Sequence, residues 1–222
     1  MLSKFMALAA ATLVSLPVSA SPAAAHAPIA ATTLPLTVAV ERLAAAAESG
    51  DGYQRDLFKH WVDADQDGCD TRAEVLISES RNESTVHTGC RVTAGTWFSY
   101  YDGVTVTDPA ALDIDHVVPL AEAWDSGAST WTAERREAYA NDLDGDSSLV
   151  AVTARTNRSK GDSDPSEWLP PLADARCTYA ADWVATKLRW HLAADPAEHA
   201  ALTELAAGCG QQHVTYEPTS LT

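Results

Sequence analysis

Positive charge is scarce in this sequence: 15 Lys and Arg stand against 31 Asp and Glu, a formal net charge of -16 over 222 residues. An acidic surface repels nucleic acid at long range, which excludes tight binding driven by global charge. It does not exclude turnover in a cleft holding a few local cations. Cysteine is sparse as well, with Cys69, Cys90, Cys177 and Cys209 and no C-x-x-C pair to support a tetrahedral zinc site. After the first twenty residues no apolar run is long enough to cross a membrane. No internal repeat is visible, and His60, His87, His191, His199 and His213 have no metal-ligand spacing.

What is present begins with an export address. Lys4 supplies a positive start, Phe5 to Val18 an apolar core, and Val18-Ser19-Ala20 a small-residue cleavage site, with Ala23-Ala24-Ala25 as an alternative. Ser15 and Pro17 interrupt the run and argue against a membrane anchor. The expectation is a signal peptide over 1–20, a flexible arm over 21–35 and one domain over 36–222 of a secreted monomer. An even cysteine count in an exported chain predicts two disulfides. Of the three pairings, Cys69 with Cys90 and Cys177 with Cys209 tie together elements near in sequence and are preferred.

Periodicity predicts helices over 36–47, 54–61, 71–79, 120–124, 133–140 with Thr132 as N-cap, 153–160, 173–193 and 196–207. The Thr-, Val- and Tyr-rich stretch 84–106, punctuated by Gly89, Gly95 and Gly103, reads as a small antiparallel sheet. Strands are expected up to Asp115-His116, where Pro119 ends the ladder, and over 147–152. The sum is an α+β domain, mostly helical, around a small sheet.

The chemistry concentrates between residues 113 and 170. Asp113-Ile114-Asp115-His116-Val117-Val118-Pro119 is followed by a strand reading Leu149-Val150-Ala151-Val152, then by Asn157-Arg158-Ser159-Lys160-Gly161-Asp162. Carboxylate and amide oxygens are hard ligands suited to Mg²⁺, with Mn²⁺ as the alternative, and an imidazole can take a proton from water near neutral pH. Asp115, His116 and Asn157 are thus the parts of a one-metal phosphodiesterase. Adjacent strand residues point to opposite faces, so the chain must leave the strand at His116 for both groups to serve one centre.

These residues resemble the HNH endonuclease family, and most of all its exported actinobacterial members, whose core recurs in GmrSD-type restriction enzymes and RNA-guided CRISPR effectors. The likeness extends through Asp67-Gly68-Cys69-Asp70-Thr71-Arg72, Trp97, Tyr101-Asp102-Gly103 and Trp168-Leu169-Pro170. It implies a ββα-metal core in which Asp115 and Asn157 bind the metal and His116 is the general base. Arg158 and Lys160 would neutralise phosphate, and Arg72 is either a phosphate contact or a local partner of Asp70 or Glu74. The implied substrate is DNA, with RNA the alternative, cut with little sequence preference. The family usually has Asn where this chain has Ser148, a shorter side chain for bracing the His loop; Asn141 and Asp146 are the other residues that could brace it. Asp113 and Glu122 are each either near the metal or plain surface carboxylates.

A second pattern is separate. Asp63-x-Asp65-x-Asp67-Gly68 with Glu74 satisfies the spacing of a calcium loop, in which alternating carboxylates converge and the last Glu closes the shell. Asp70 occupies a position that such loops normally fill with an apolar residue. The plain alternative is an acidic turn with Asp70 capping the next helix. The rival to a nuclease is a calcium-stabilised, non-enzymatic secreted binding protein whose centre has decayed, with Ser148 as the sign of loss.

Overall fold

The computed structural model describes residues 30–220, so the expected signal segment and most of the arm lie outside the described residues. In chain order the elements are β1 (Thr32–Pro35), α1 (Leu36–Val40), β2 (Ala44–Ala45), α2 (Thr71–Ser78), β3 (Thr85–His87), β4 (Arg91–Ala94), β5 (Trp97–Ser99) and β6 (Val104–Val106). There follow β7 (Leu112–His116), α3 (Leu120–Asp125), α4 (Ala133–Ala140), β8 (Leu149–Thr153), α5 (Ala154–Lys160), α6 (Arg176–Trp190), β9 (Ala193–Ala194), α7 (Pro196–Gly208) and β10 (His213–Tyr216). The result is a mixed helical and stranded fold. Its strands pair two by two, as β1 with β10, β2 with β9, β3 with β4, β5 with β6 and β7 with β8. The single sheet expected over 84–106 is therefore two separate hairpins.

Several expected elements were shortened by tertiary hydrogen bonds. The helix expected over 36–47 stops at Val40, because Ala44 and Ala45 pair with Ala193 and Ala194 and the Ala46 N–H donates to the Ala194 carbonyl. The helix expected over 54–61 is one 3-10 turn, Arg55–Leu57. The carbonyls it would need are taken by side chains: Asn141 Nδ2 donates to Lys59 O at 2.8 Å, and His60 Nδ1 lies 2.9 Å from Phe58 O. The end of the expected flexible arm is a strand, held antiparallel against His213–Tyr216. Other expectations stand. Asp70 Oδ1 accepts the Ala73 N–H at 2.8 Å and caps α2, and Thr132 caps α4 through the Arg135 N–H. Both local disulfides, Cys69–Cys90 and Cys177–Cys209, are formed.

The β7–β8 ribbon divides the apolar interior. Leu112 and Ile114 of β7 join Leu149 and Ala151 of β8 in a small cluster with Val75, Leu76 and Trp97. Val150 and Val152 point the other way, into the main core with Val117, Val118, Tyr179, Trp183 and Trp190. Period-2 alternation thus places Asp113 and Asp115, paired with Val152 and Val150, on the main-core side.

Candidate active site

The turn between β5 and β6 positions the site from both sides. Gly103, at φ +73, lets the chain reverse, a conformation glycine adopts without steric cost. Of the two residues before it, Tyr101 is buried and its hydroxyl donates to Asp115 Oδ2 at 2.7 Å. Asp102 Oδ2 accepts the Thr153 and Thr156 hydroxyls, which ties down the first turn of α5. Two neighbouring side chains therefore hold the strand carrying Asp115 and the helix carrying Asn157 in one frame.

Asp115 is buried, and its Oδ2 also accepts a 2.7 Å bond from Lys160 Nζ. Lys160 itself is 1 % exposed, and its ammonium also donates to the His116 carbonyl at 2.9 Å. Expected at the phosphate, it points inward and fixes the Asp115-His116 dipeptide instead. Burial pushes the Asp115 carboxyl up, while Lys160 and Tyr101 pull it back; burial likewise pushes the Lys160 ammonium down. Both hydrogen bonds fall on Oδ2, which leaves Oδ1 as the oxygen available to a cation.

His116 is the last residue of β7 and is buried between aromatic rings, with Trp61 at 5.8 Å and Tyr139 stacked at 6.2 Å between centroids. Its Nε2 lies 2.9 Å from the Ala140 carbonyl. A carbonyl only accepts, so Nε2 carries the proton and Nδ1 keeps a lone pair. Burial lowers the imidazole to about 3, well below its ordinary value, so the ring is neutral and proton-accepting at physiological pH. The Ala140 carbonyl is in turn fixed by its neighbour. Asn141 uses its whole carboxamide, accepting from Val62 N and Thr71 Oγ1 and donating to Lys59 O and Glu137 O. Ser148 braces differently: its carbonyl accepts the Val117 N–H at 3.0 Å and its hydroxyl donates to Asp142 Oδ2 at 2.7 Å. Asp142 also takes both Arg189 and the Trp190 indole.

Asp115, His116, Asn157 and Arg158 line one cleft of about 200 Å³, together with Arg55, Pro119, Leu120, Gly161 and Asp162. Asn157 Nδ2 lies 3.4 Å from Asp113 Oδ2, which turns the amide oxygen away from Asp113. Asp113 also pairs with Arg158, whose side chain is 74 % exposed. Arg72 is elsewhere. Its guanidinium donates to the Pro109 and Leu112 carbonyls, bracing the start of β7. Glu122 is neither at the cleft nor at the surface but is buried against Lys187 at 2.7 Å. In the acidic loop, carboxylate oxygens of Asp63, Asp65 and Asp67 lie within 4.8 Å of one another, and all three residues are exposed. Glu74 is not among them, although burial and then their charges raise its carboxyl above the ordinary value.

Tyr101 and Asp102 stood inside a recognisable motif, but nothing in the sequence assigned them to particular partners. Arg55 and the Ala140 carbonyl carried no sequence signal, since a backbone acceptor has no residue preference.

Among curated proteins, one from Arthroderma benhamiae named "Uncharacterized secreted protein" is 45% identical over 159 residues, covering 72% of this chain and 76% of the relative. No solved structure matches. The family described as "GmrSD restriction endonucleases, C-terminal domain" matches residues 69–205, more than half of the chain and all of the Asp115–His116–Asn157 cleft except Arg55, and the chain belongs to that family.

Proposed function

We propose that the protein is a secreted, metal-dependent endonuclease of the HNH type that hydrolyses phosphodiester bonds of DNA with little sequence preference. The observation that carries this reading is the shared cleft of Asp115, Asn157 and a neutral His116 whose Nδ1 is left as an acceptor. Strand, strand and helix follow in the order β7, β8, α5, as a ββα-metal core requires. Export is supported by the two disulfides and by the secreted relative.

The donor set fits a hard divalent cation, because one carboxylate oxygen and one amide oxygen are left over by the hydrogen bonds around them. Held by Asp115 and Asn157, Mg²⁺ or Mn²⁺ would supply Lewis-acid charge to the phosphate and the leaving oxygen. The chain's own residues do the rest. The Ala140 carbonyl holds the ring by Nε2, so Nδ1 takes a proton from the attacking water. Lys160 and Tyr101 keep the Asp115 carboxylate in one orientation. Arg158, tied to Asp113 yet largely exposed, offers positive charge to the substrate backbone.

Plasmid digestion with Mg²⁺ or Mn²⁺ against chelator tests the reading, with cleavage expected only when metal is present. Intact plasmid under both conditions would favour the non-enzymatic rival. That rival leaned on Ser148, whose hydroxyl has a partner in Asp142 while its backbone carbonyl holds Val117 beside His116, a bond that does not depend on the side chain. Replacing Asp115 or Asn157 with Ala is expected to weaken metal affinity together with rate, read as a shifted metal-activation curve. A variant with the wild-type metal dependence would not have lost a ligand.

The loop over 63–74 supports structural Ca²⁺ through its three converging carboxylates. An ion that binds only the folded state raises Tm by mass action. Ca²⁺ should therefore raise Tm in the wild type but not in a variant combining Asp65→Ala with Asp67→Ala, whose nuclease rate at moderate temperature should be unchanged. A wild-type Tm indifferent to Ca²⁺ after chelation would leave an acidic turn capped by Asp70.

A further inference from the structure

We propose that Arg55, which lies outside the matched family region, is a substrate-binding residue of the cleft and takes a non-bridging phosphate oxygen of the polynucleotide. The proposal rests on the nuclease reading above and deepens it. Arg55 lines the cleft that holds Asp115, His116 and Asn157, yet it comes from the segment before the family match at residues 69–205.

Four observations converge on it. First, the position is rigid although the side chain is exposed. Phe58, three residues on, is fully buried and packs edge-on against Trp124 and Tyr139 at 6.4 and 6.1 Å. Tyr53, two residues before, packs against Trp124 at 6.1 Å, and the Trp124 indole donates to the Asp51 carbonyl at 3.1 Å. The turn Arg55–Leu57 is thus pinned on both sides, so its backbone needs no further ordering when a ligand binds and only the side-chain rotamers are lost.

Second, Arg55 makes no ion pair within 4.0 Å among the described residues. The other exposed cation of the cleft, Arg158, is already paired with Asp113. Lys160, the third cation near the motif, is buried on Asp115. Tyr53 lies beside the guanidinium, and Asp162 shares the cleft without pairing to it within that distance. Third, Arg55 shares its cleft with the general base, and its charge acts on His116. Fourth, the chain carries a net charge of -16, so a polyanion reaching this cleft depends on local cations. A planar guanidinium with several N–H donors matches phosphate oxygens and reads no base. That accounts for binding without sequence preference.

The test compares the wild type with Arg55→Ala and Arg55→Lys, measuring kcat and KM on duplex DNA over a series of salt concentrations, with Tm as a control on folding. Arg55→Ala should lower kcat/KM roughly ten- to hundredfold, the usual loss for a hydrogen bond to a charged group. It should also flatten the slope of log(kcat/KM) against log[salt] by about 0.9, the share of one phosphate contact. Arg55→Lys should keep the wild-type slope and recover part of the rate, since it retains the charge but not the planar fork. A purely structural role would instead lower Tm, leave the slope unchanged and gain nothing from Lys, and that pattern overturns the proposal. So does a wild type that cuts DNA alongside an Arg55→Ala variant with the same kcat/KM and slope. A wild type that cuts nothing with Mg²⁺ or Mn²⁺ overturns the nuclease reading itself, and Arg55's role with it.

Discussion

Replacing His116 with Ala is expected to reduce phosphodiester hydrolysis by roughly a hundredfold to ten-thousandfold while leaving metal binding intact. The magnitude is that of removing a positioned general base. The ring sits in the cleft with one nitrogen held by the Ala140 carbonyl and the other free to accept. A protonated imidazole could not serve, but burial holds its pKa at about 3, so acidification from pH 7 to 5 should not silence the base. Single-turnover cleavage and a metal titration by calorimetry check both halves. Near wild-type rates in His116→Ala would remove this residue from the mechanism. His116→Gln, closer in size, separates loss of a proton acceptor from loss of packing between Trp61 and Tyr139.

The largest effect on stability is expected away from the cleft, at Lys187. This side chain is 0% exposed, and its ammonium has four acceptors within hydrogen-bond distance for its three N–H groups: Glu122 at 2.7 Å, Glu198 at 2.5 Å, Ser126 at 2.9 Å and the Ala193 carbonyl at 2.8 Å. The Trp183 indole also donates to Glu198. Replacing Lys187 with Met leaves two buried carboxylates without their cation, a change that costs about 3–5 kcal/mol in comparable settings. Urea unfolding at pH 7 measures it, and a loss below about 1 kcal/mol would show that the network relaxes or admits water.

The loss in Lys187→Met should depend on pH. Even with Lys187 present, burial raises Glu198 to about 7 and Glu48 to about 8, and Glu48 Oε1 is buried without a partner among the described residues. A carboxyl raised above its unfolded value is stabilising at low pH, where it is protonated in both states. That contribution is lost as pH rises from about 4.5 through the folded value. Without Lys187 the folded values rise further. The destabilisation should therefore be smaller at pH 5 than at pH 8, and an equal loss at both would contradict the charge argument.

Local chemistry was legible in the residues themselves. Pro119 after Asp115-His116 ended a strand, Thr132 and Asp70 capped helices, and the cysteines paired with near neighbours, because each depends on contacts within a few tens of residues. The order Asp115, His116, Asn157 anticipated a shared cleft for the same reason: two strands and a helix in sequence bring those positions together. Helix ends were less legible. Ala44–Ala47 and Phe58–Trp61 have helical composition, but distant acceptors and donors at Ala194 and Asn141 claimed their backbone groups.

What each cation does was decided only by packing. In sequence Arg158, Lys160 and Arg72 look alike as phosphate contacts, and Arg55 carries no signal at all. In the fold one is exposed beside Asp113, one is buried on Asp115, one braces two carbonyls and one stands in the cleft without an ion pair among the described residues. The physical reason is that a long basic side chain takes whichever desolvated acceptor lies within reach. The identity of that acceptor, such as Asp115 for a lysine 45 residues away, is set by how the elements pack and not by neighbours along the chain.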